Sequence, residues 1–172
     1  MRTGWYDSAF VATAESQSEL TSKVEPLLLE VADVVNTTLD LETTLRRVAE
    51  LVRKVIDYEI FAILLLNEKA QELYVRFHQG YPKEVAERAR VKVGRGVTGR
   101  AAQLRQTILV DDVTKETDYI DAVPNVRSEL AIPLIVKNRV IGVIDIEAQQ
   151  PGYFTEEHKR LLTLIASRMA VG

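Results

Sequence analysis

Apolar positions change their period several times along the chain, and each change marks an element. Leu20, Val24, Leu27, Val31 and Val34 lie on one seam of a helix expected over residues 20–38. Two heptads suit either a short coiled coil or an amphipathic helix packed on its own domain. Pro26 fits a first helical turn better than an interior, so the helix proper is expected from near Glu25. Asp40 is placed to cap a second helix with Leu41, Leu45, Val48, Leu51, Val52, Val55 and Ile56 on its apolar face. Its other face, with Arg46, Arg47, Glu50, Arg53 and Lys54, mixes both signs without aromatic residues and reads as solvated.

The period then falls to two. Tyr58 to Leu66 predicts a buried strand, Asn67 to Gln71 a turn and Glu72 to His78 an alternating strand, which together form a hairpin. A short helix over 83–90, a glycine loop, a helix from Val97 to Leu104 and a strand from Thr107 to Val110 follow. Thr114 to Val126 reads as a loop with a helical turn around Tyr119. Glu129 to Glu147 then predicts a hairpin about a tight turn at Lys137-Asn138. Leu130, Ile132, Leu134 and Val136 share one face of its first strand, with Ala131, Pro133 and Ile135 on the other. In its second strand Val140, Gly142, Ile144 and Ile146 oppose Ile141 and Val143, which give way to Asp145 and Glu147. Apolar on both faces, this hairpin belongs in the middle of a sheet covered on both sides. Pro133 within it predicts a bulge or a missing ladder bond. Thr155 caps a last helix whose stripe is Leu161, Leu162, Leu164, Ile165 and Met169.

The pattern divides the chain into an irregular lead-in over 1–19, a helix over 20–38 and a domain over 39–170. Its 172 residues can bury a core without staples. The net charge of -3 gives no general nucleic-acid surface. No apolar run approaches the ~20 residues that span a bilayer, and the N-terminus lacks a secretory pattern, so a cytoplasmic protein is expected. Cysteine is absent, which removes disulfides, thiolate catalysis, thiolate metal sites and thioether-linked chromophores.

Three motifs invite chemistry. Gly94, Gly96 and Gly99 give G-x-G-x-x-G, but the dinucleotide fingerprint needs a preceding buried strand within a βαβ unit, and this chain is built of hairpins. The loop reads instead as the entry to a short helix whose N–H groups favour a polar ligand. Asp111-Asp112 lacks the third ligand of a metal set and reads as a loop or cap. No nucleophile–base–orienter set is visible, and no enzyme is expected.

The segments GRGVTGRAAQLRQTILVDDV at 94–113, RSELAIPLIVKNRVIGVIDIEA at 127–148 and FTEEHKRLLTLIASRMA at 154–170 resemble those of a GAF domain. The resemblance implies an α+β fold: a central antiparallel sheet of five or six strands, with terminal helices on one face. On the other, loops and short helices close a small-molecule pocket. It implies a non-enzymatic sensory module, homodimeric through its terminal helices, that controls an attached kinase, phosphatase, cyclase or transcriptional output domain. The rival reading is a dimerisation module with a vestigial pocket. The absence of Cys argues against the covalent bilin of some members and the Cys catalysis of the free methionine sulfoxide reductases. The cyclic-nucleotide signature falls at Ala148, Gln149, Phe154, Thr155 and Glu156, where only Phe and Glu are retained. Haem would need His78 or His158; His158 is expected to be solvated, and no cofactor is expected. By the same resemblance the pocket would be lined by Val97, Thr98, Asp112, Tyr119, Arg127, Ser128 and Glu129. Arg127 either binds an anionic group of the ligand or pairs with Glu129 or Asp112, leaving the pocket filled by its own side chains.

Overall fold

The computed structural model describes residues 7–37 and 40–170, with side chains from residue 22 onward. Of the lead-in expected over 1–19, residues 1–6 lie outside that description. From Asp7 the backbone is helical, and α1 (Asp7–Thr37) runs through Pro26 without stopping. Helix α2 (Leu41–Arg53) is capped by Asp40, which accepts from the Thr43 N–H at 2.8 Å. Strands β1 (Ile60–Asn67) and β2 (Glu72–Gln79) form the first hairpin. Next come α3 (Lys83–Arg88), the short strand β3 (Arg90–Lys92), α4 (Gly96–Leu104) and β4 (Ile108–Val110). A 3-10 turn occupies Val113–Lys115, earlier than the helical turn expected around Tyr119. The second hairpin is β5 (Ser128–Val136) and β6 (Arg139–Ala148), and α5 (Glu156–Met169) completes the domain.

All six strands form one antiparallel sheet in the order β3-β2-β1-β6-β5-β4. The architecture is the expected α+β one, with the second hairpin near the middle. On one face α1, α2 and α5 cover a core that includes Phe61, Ile63, Leu130, Ile132, Ile144, Ile146, Leu162 and Ile165. The seam Val24, Leu27, Val31 and Val34 packs into this core, so it serves the chain's own domain, with Val31 fully buried. On the other face α4 and the 113–127 loop cover Ile60, Ala62, Leu64, Leu73, Ala131 and Val143.

Pro133 sits where a proline costs least. Strand β4 stops pairing at Ala131, so the outer side of β5 carries no ladder there, and the register with β6 shifts between Leu134 and Ile135. This bulge pairs Leu134 with Gly142 but Ile135 with Val140, and it turns Val140 away from its expected face with Ile144 onto the α4 side. His158 also departs from expectation. Its Nδ1 accepts from the Thr155 N–H in a reciprocal cap while its ring packs against Tyr153 and Phe154, and burial lowers its pKa.

Candidate functional site

The α4 side of the sheet holds a cavity of about 440 Å³, within the range of small-molecule sites. Its floor is acidic. Glu129 on β5 and Glu147 on β6 are direct cross-strand partners, and Asp145 lies two residues from Glu147 on the same face. All three are buried, at 4%, 4% and 2% exposure. The residues flanking Asp145 on neighbouring strands are Ala62 and Ala131, whose small side chains leave the carboxyl room to face a cavity.

Tyr81 crosses over from the end of the first hairpin to reach this floor. Gly80 sets its path: with φ at +93°, any Cβ there would stand 2.1 Å from the Glu59 carbonyl oxygen. The Tyr81 hydroxyl lies 2.5 Å from Glu147 Oε1 and 3.0 Å from Asp145 Oδ2. A hydroxyl has one proton to donate, so with two carboxyl partners one contact must be donated by a protonated acid. Electrostatics gives the same answer. Burial, then the charges of Asp145 and Glu147, push Glu129 well above the usual carboxylate range; burial and the Asp145 charge do the same to Glu147. Asp145 rises only to about 6, burial being opposed chiefly by its hydrogen bond with the Tyr81 hydroxyl. At least one carboxyl of the floor is therefore protonated in the fold. Among the described residues, Asp145 Oδ1 and Glu147 Oε2 are buried without a hydrogen-bond partner. Such oxygens are costly unless something polar meets them.

The roof is the loop from Glu116 to Arg127. Asp118 accepts the Gly96 N–H at 3.0 Å and pairs with Arg95 at 2.6 Å, while Glu116 pairs with Arg100 at 2.5 Å. The Gly96 hydrogen bond, then Arg95, hold the Asp118 carboxyl below its ordinary pKa. These anchors set Ile120 and Ala122 over the cavity, whose apolar walls are Leu64, Val75, Val91 and Val97. Gly99 lets α4 lie against β3, since a Cβ there would be 2.4 Å from the Lys92 carbonyl oxygen.

The pocket residues expected from the sequence divide. Val97, Thr98 and Glu129 line the cavity. Tyr119 packs beside it, its hydroxyl pKa raised by burial and by the charges of Glu147, Glu129 and Asp145. Asp112 and Arg127 are outside it, joined by bonds of 3.1 and 3.3 Å that hold the Asp112 carboxyl down at about 2. The alternative in which Arg127 pairs with Asp112 is the one formed. Ser128 is spent on the Gln150 carbonyl at 2.7 Å. Asp145, Glu147 and Tyr81 were missed, although a pair of acids ending an apolar strand face is a visible signal. His78 has its ring 6.3 Å from that of Tyr81 and a buried Nδ1 without a partner among the described residues. Among the described residues no group of three or more His, Cys, Asp or Glu is arranged to hold a metal ion.

A family model described as a GAF domain matches residues 38–172. The chain belongs to the GAF domain family. Within it, the chain is 36% identical over 80 residues to the free methionine-R-sulfoxide reductase of Escherichia coli, covering 46% of this chain and 48% of that protein. It is 24% identical over 149 residues to the Nif-specific regulatory protein of Herbaspirillum seropedicae, covering 81% of this chain but 27% of that one. The solved free methionine-R-sulfoxide reductase of Neisseria meningitidis, in complex with its substrate, superposes with a TM-score of 0.78 at 26% identity over 86% of each chain. The chain thus spans about half the length of the reductase it matches in sequence. These relatives correct the expectation that this GAF domain is no enzyme: the likeness runs to reductases as well as to a regulator. The chain's composition bounds the correction, since none of these 172 residues is a cysteine and any thiol chemistry at the site would need a thiol from outside them.

Proposed function

We propose that this GAF domain binds a small free amino acid with a polar oxide tail, of the methionine-sulfoxide type, and passes its occupancy to an attached cytoplasmic output domain. The observation that carries the reading is the floor: buried carboxyls, some protonated, converge on a cavity and leave two oxygens without a partner. A protonated carboxyl in an apolar pocket is a strong donor, and a sulfoxide oxygen is a strong neutral acceptor that a thioether lacks. The apolar walls suit the aliphatic part of such a ligand. The reductase relatives support this ligand class, and the regulatory relative supports the output role.

For the dimer, the support is a groove between α1 and α5 in which Leu29 is 67% and Leu164 45% exposed. Glu25 and Glu157 line it together with Arg160 and Arg168, so a second copy turned about a two-fold could match acid to base across it.

Calorimetric titration with L-methionine-R-sulfoxide and with L-methionine tests the ligand. The oxide is expected to bind at least about tenfold tighter, the scale at which a buried hydrogen-bonding site rejects an analogue lacking its partner. Equal binding, or none, would overturn the reading. Adding a dithiol and assaying methionine then decides whether binding is followed by reduction. In that step the sulfoxide oxygen leaves as water while two thiols become one disulfide.

A further inference from the structure

The cavity has a second charged end, and it is of mixed sign. Helix α3 contributes Glu84 and Arg88 to the lining, one helical turn apart and therefore on the same face. Among the described residues neither makes an ion pair or a side-chain hydrogen bond. Their neighbours are committed: Lys83 pairs with Glu87 at 3.7 Å, and the Arg90 guanidinium donates to the Glu87 and Ala89 carbonyls. One free acid and one free base thus stand at the mouth, above a floor of buried acids.

We propose that Glu84 and Arg88 form the head-group subsite, Arg88 taking the ligand's α-carboxylate and Glu84 its ammonium, while the tail descends to Glu129, Asp145 and Glu147. The inference rests on the reading above for the tail and adds that the site selects free amino acids against the same side chain in a peptide or amide. The physical basis is complementarity of charge order. Neighbours one turn apart on a helix have Cβ atoms roughly 5–6 Å apart, so their heads can flank the two charges of one α-carbon. A guanidinium meets a carboxylate through two parallel N–H donors, whereas an amide offers a single neutral oxygen. The floor could not perform this selection. Its three side chains are all acids, so a ligand carboxylate placed beside Asp145 would meet like charge and no base.

The test titrates the full chain with L-methionine-R-sulfoxide and with its carboxamide. The free acid is expected to bind about tenfold tighter than the amide, and Arg88→Gln to weaken the acid by about the same factor while leaving the amide unchanged. Glu84→Gln should weaken both, since both keep the ammonium. Arg88 and Glu84 are exposed, so both variants should keep the wild-type melting temperature. Equal binding of acid and amide by the wild type, or a preference surviving in Arg88→Gln, would overturn the mouth assignment and leave the floor reading intact. Binding of neither compound by the wild type would overturn both.

Discussion

A buried cluster that keeps its protons makes the fold's stability depend on pH with a sign opposite to that of most acidic residues. Asp145 has an ordinary pKa of 3.8 and is lifted to about 6 in the fold, mainly by burial. The folded state therefore binds protons that the unfolded chain has released, and stability falls as pH rises. The contribution is fully present below about 4 and is lost as pH passes through about 6. A displacement of about two units corresponds to about 3 kcal/mol for this carboxyl alone. Glu129 and Glu147, both raised well above 4.5, extend the decline to higher pH. For a chain of this size, about 3 kcal/mol is worth roughly 6–12 °C in melting temperature. Two other titrations must be separated from it. His158, lowered by burial, favours the fold as pH rises past its folded value, and Asp112, held at about 2, acts only in strong acid. The difference between wild type and Asp145→Asn removes both. Denaturant unfolding of each protein from pH 4.5 to 8 without added ligand spans about two-thirds of that window and should show the wild type losing about 2 kcal/mol more than the variant. A parallel pair of curves, or a wild type that gains relative to Asp145→Asn as pH rises, would refute a proton-holding floor.

Three further perturbations follow from particular contacts. Gly99→Ala should cost about 1–3 kcal/mol in denaturant unfolding, because the new methyl meets the Lys92 carbonyl at 2.4 Å and α4 must move away from β3; a change under half a kcal/mol would contradict the close approach. Arg127→Ala should leave affinity for the oxide within about twofold, since its guanidinium is engaged by Asp112, while amide exchange over 112–116 speeds up; a loss of binding would return Arg127 to the pocket. Leu29→Glu should convert the proposed dimer to monomer by light scattering with the melting profile retained, and a wild type already monomeric would remove the α1–α5 groove as a self-association surface.

Most of the sheet and the later helices were legible because each buries one face, and burial imprints a period. The seam ending at Val34 and the Thr155 cap came through to the structure, whereas the alternation in β2 holds for Leu73 and Val75 only, a register shift against β1 placing Phe77 in the core under the helices. Helix α1 was legible only in part. Residues 7–19 mix Ser, Thr, Ala and Glu without an apolar period, so nothing in them marks the helical backbone they adopt, and Pro26 signals a start that the helix does not observe. The site was less legible than the fold for a related reason. Arg127 is the more conspicuous cation beside β5, but what decides its role is a carboxylate fifteen residues earlier on a loop whose path no period records. Tyr81 lies past a strand end, where only the positive φ of Gly80 sends it back over the sheet.

The floor itself depends on one irregularity. A two-residue turn at Lys137-Asn138 pairs Val136 with Arg139 and Ile135 with Val140, and that register carried onward would set Glu129 opposite Ile146. Cross-strand partners share a face, so Glu129 would then lie on the face opposite to Asp145 and Glu147. The shift between Leu134 and Ile135 adds one residue to β6 and brings Glu129 opposite Glu147 instead. Pro133, two residues from the shift, marks in the sequence where regular pairing is weakest, though not how far the register moves. One extra residue in β6 thus decides whether the three carboxyls meet, and with them the protons that the proposed ligand would use. The same residue turns Val140 to the α4 side and fills that face beside the site. Deleting Ile141, the residue left without a partner, should therefore do more than relax a bulge. It would restore the regular register, put Glu129 and the Asp145–Glu147 pair on opposite faces with acid turned into the apolar layer, and forfeit stability and oxide binding together, whereas Ile141→Ala, which keeps the register, should forfeit neither.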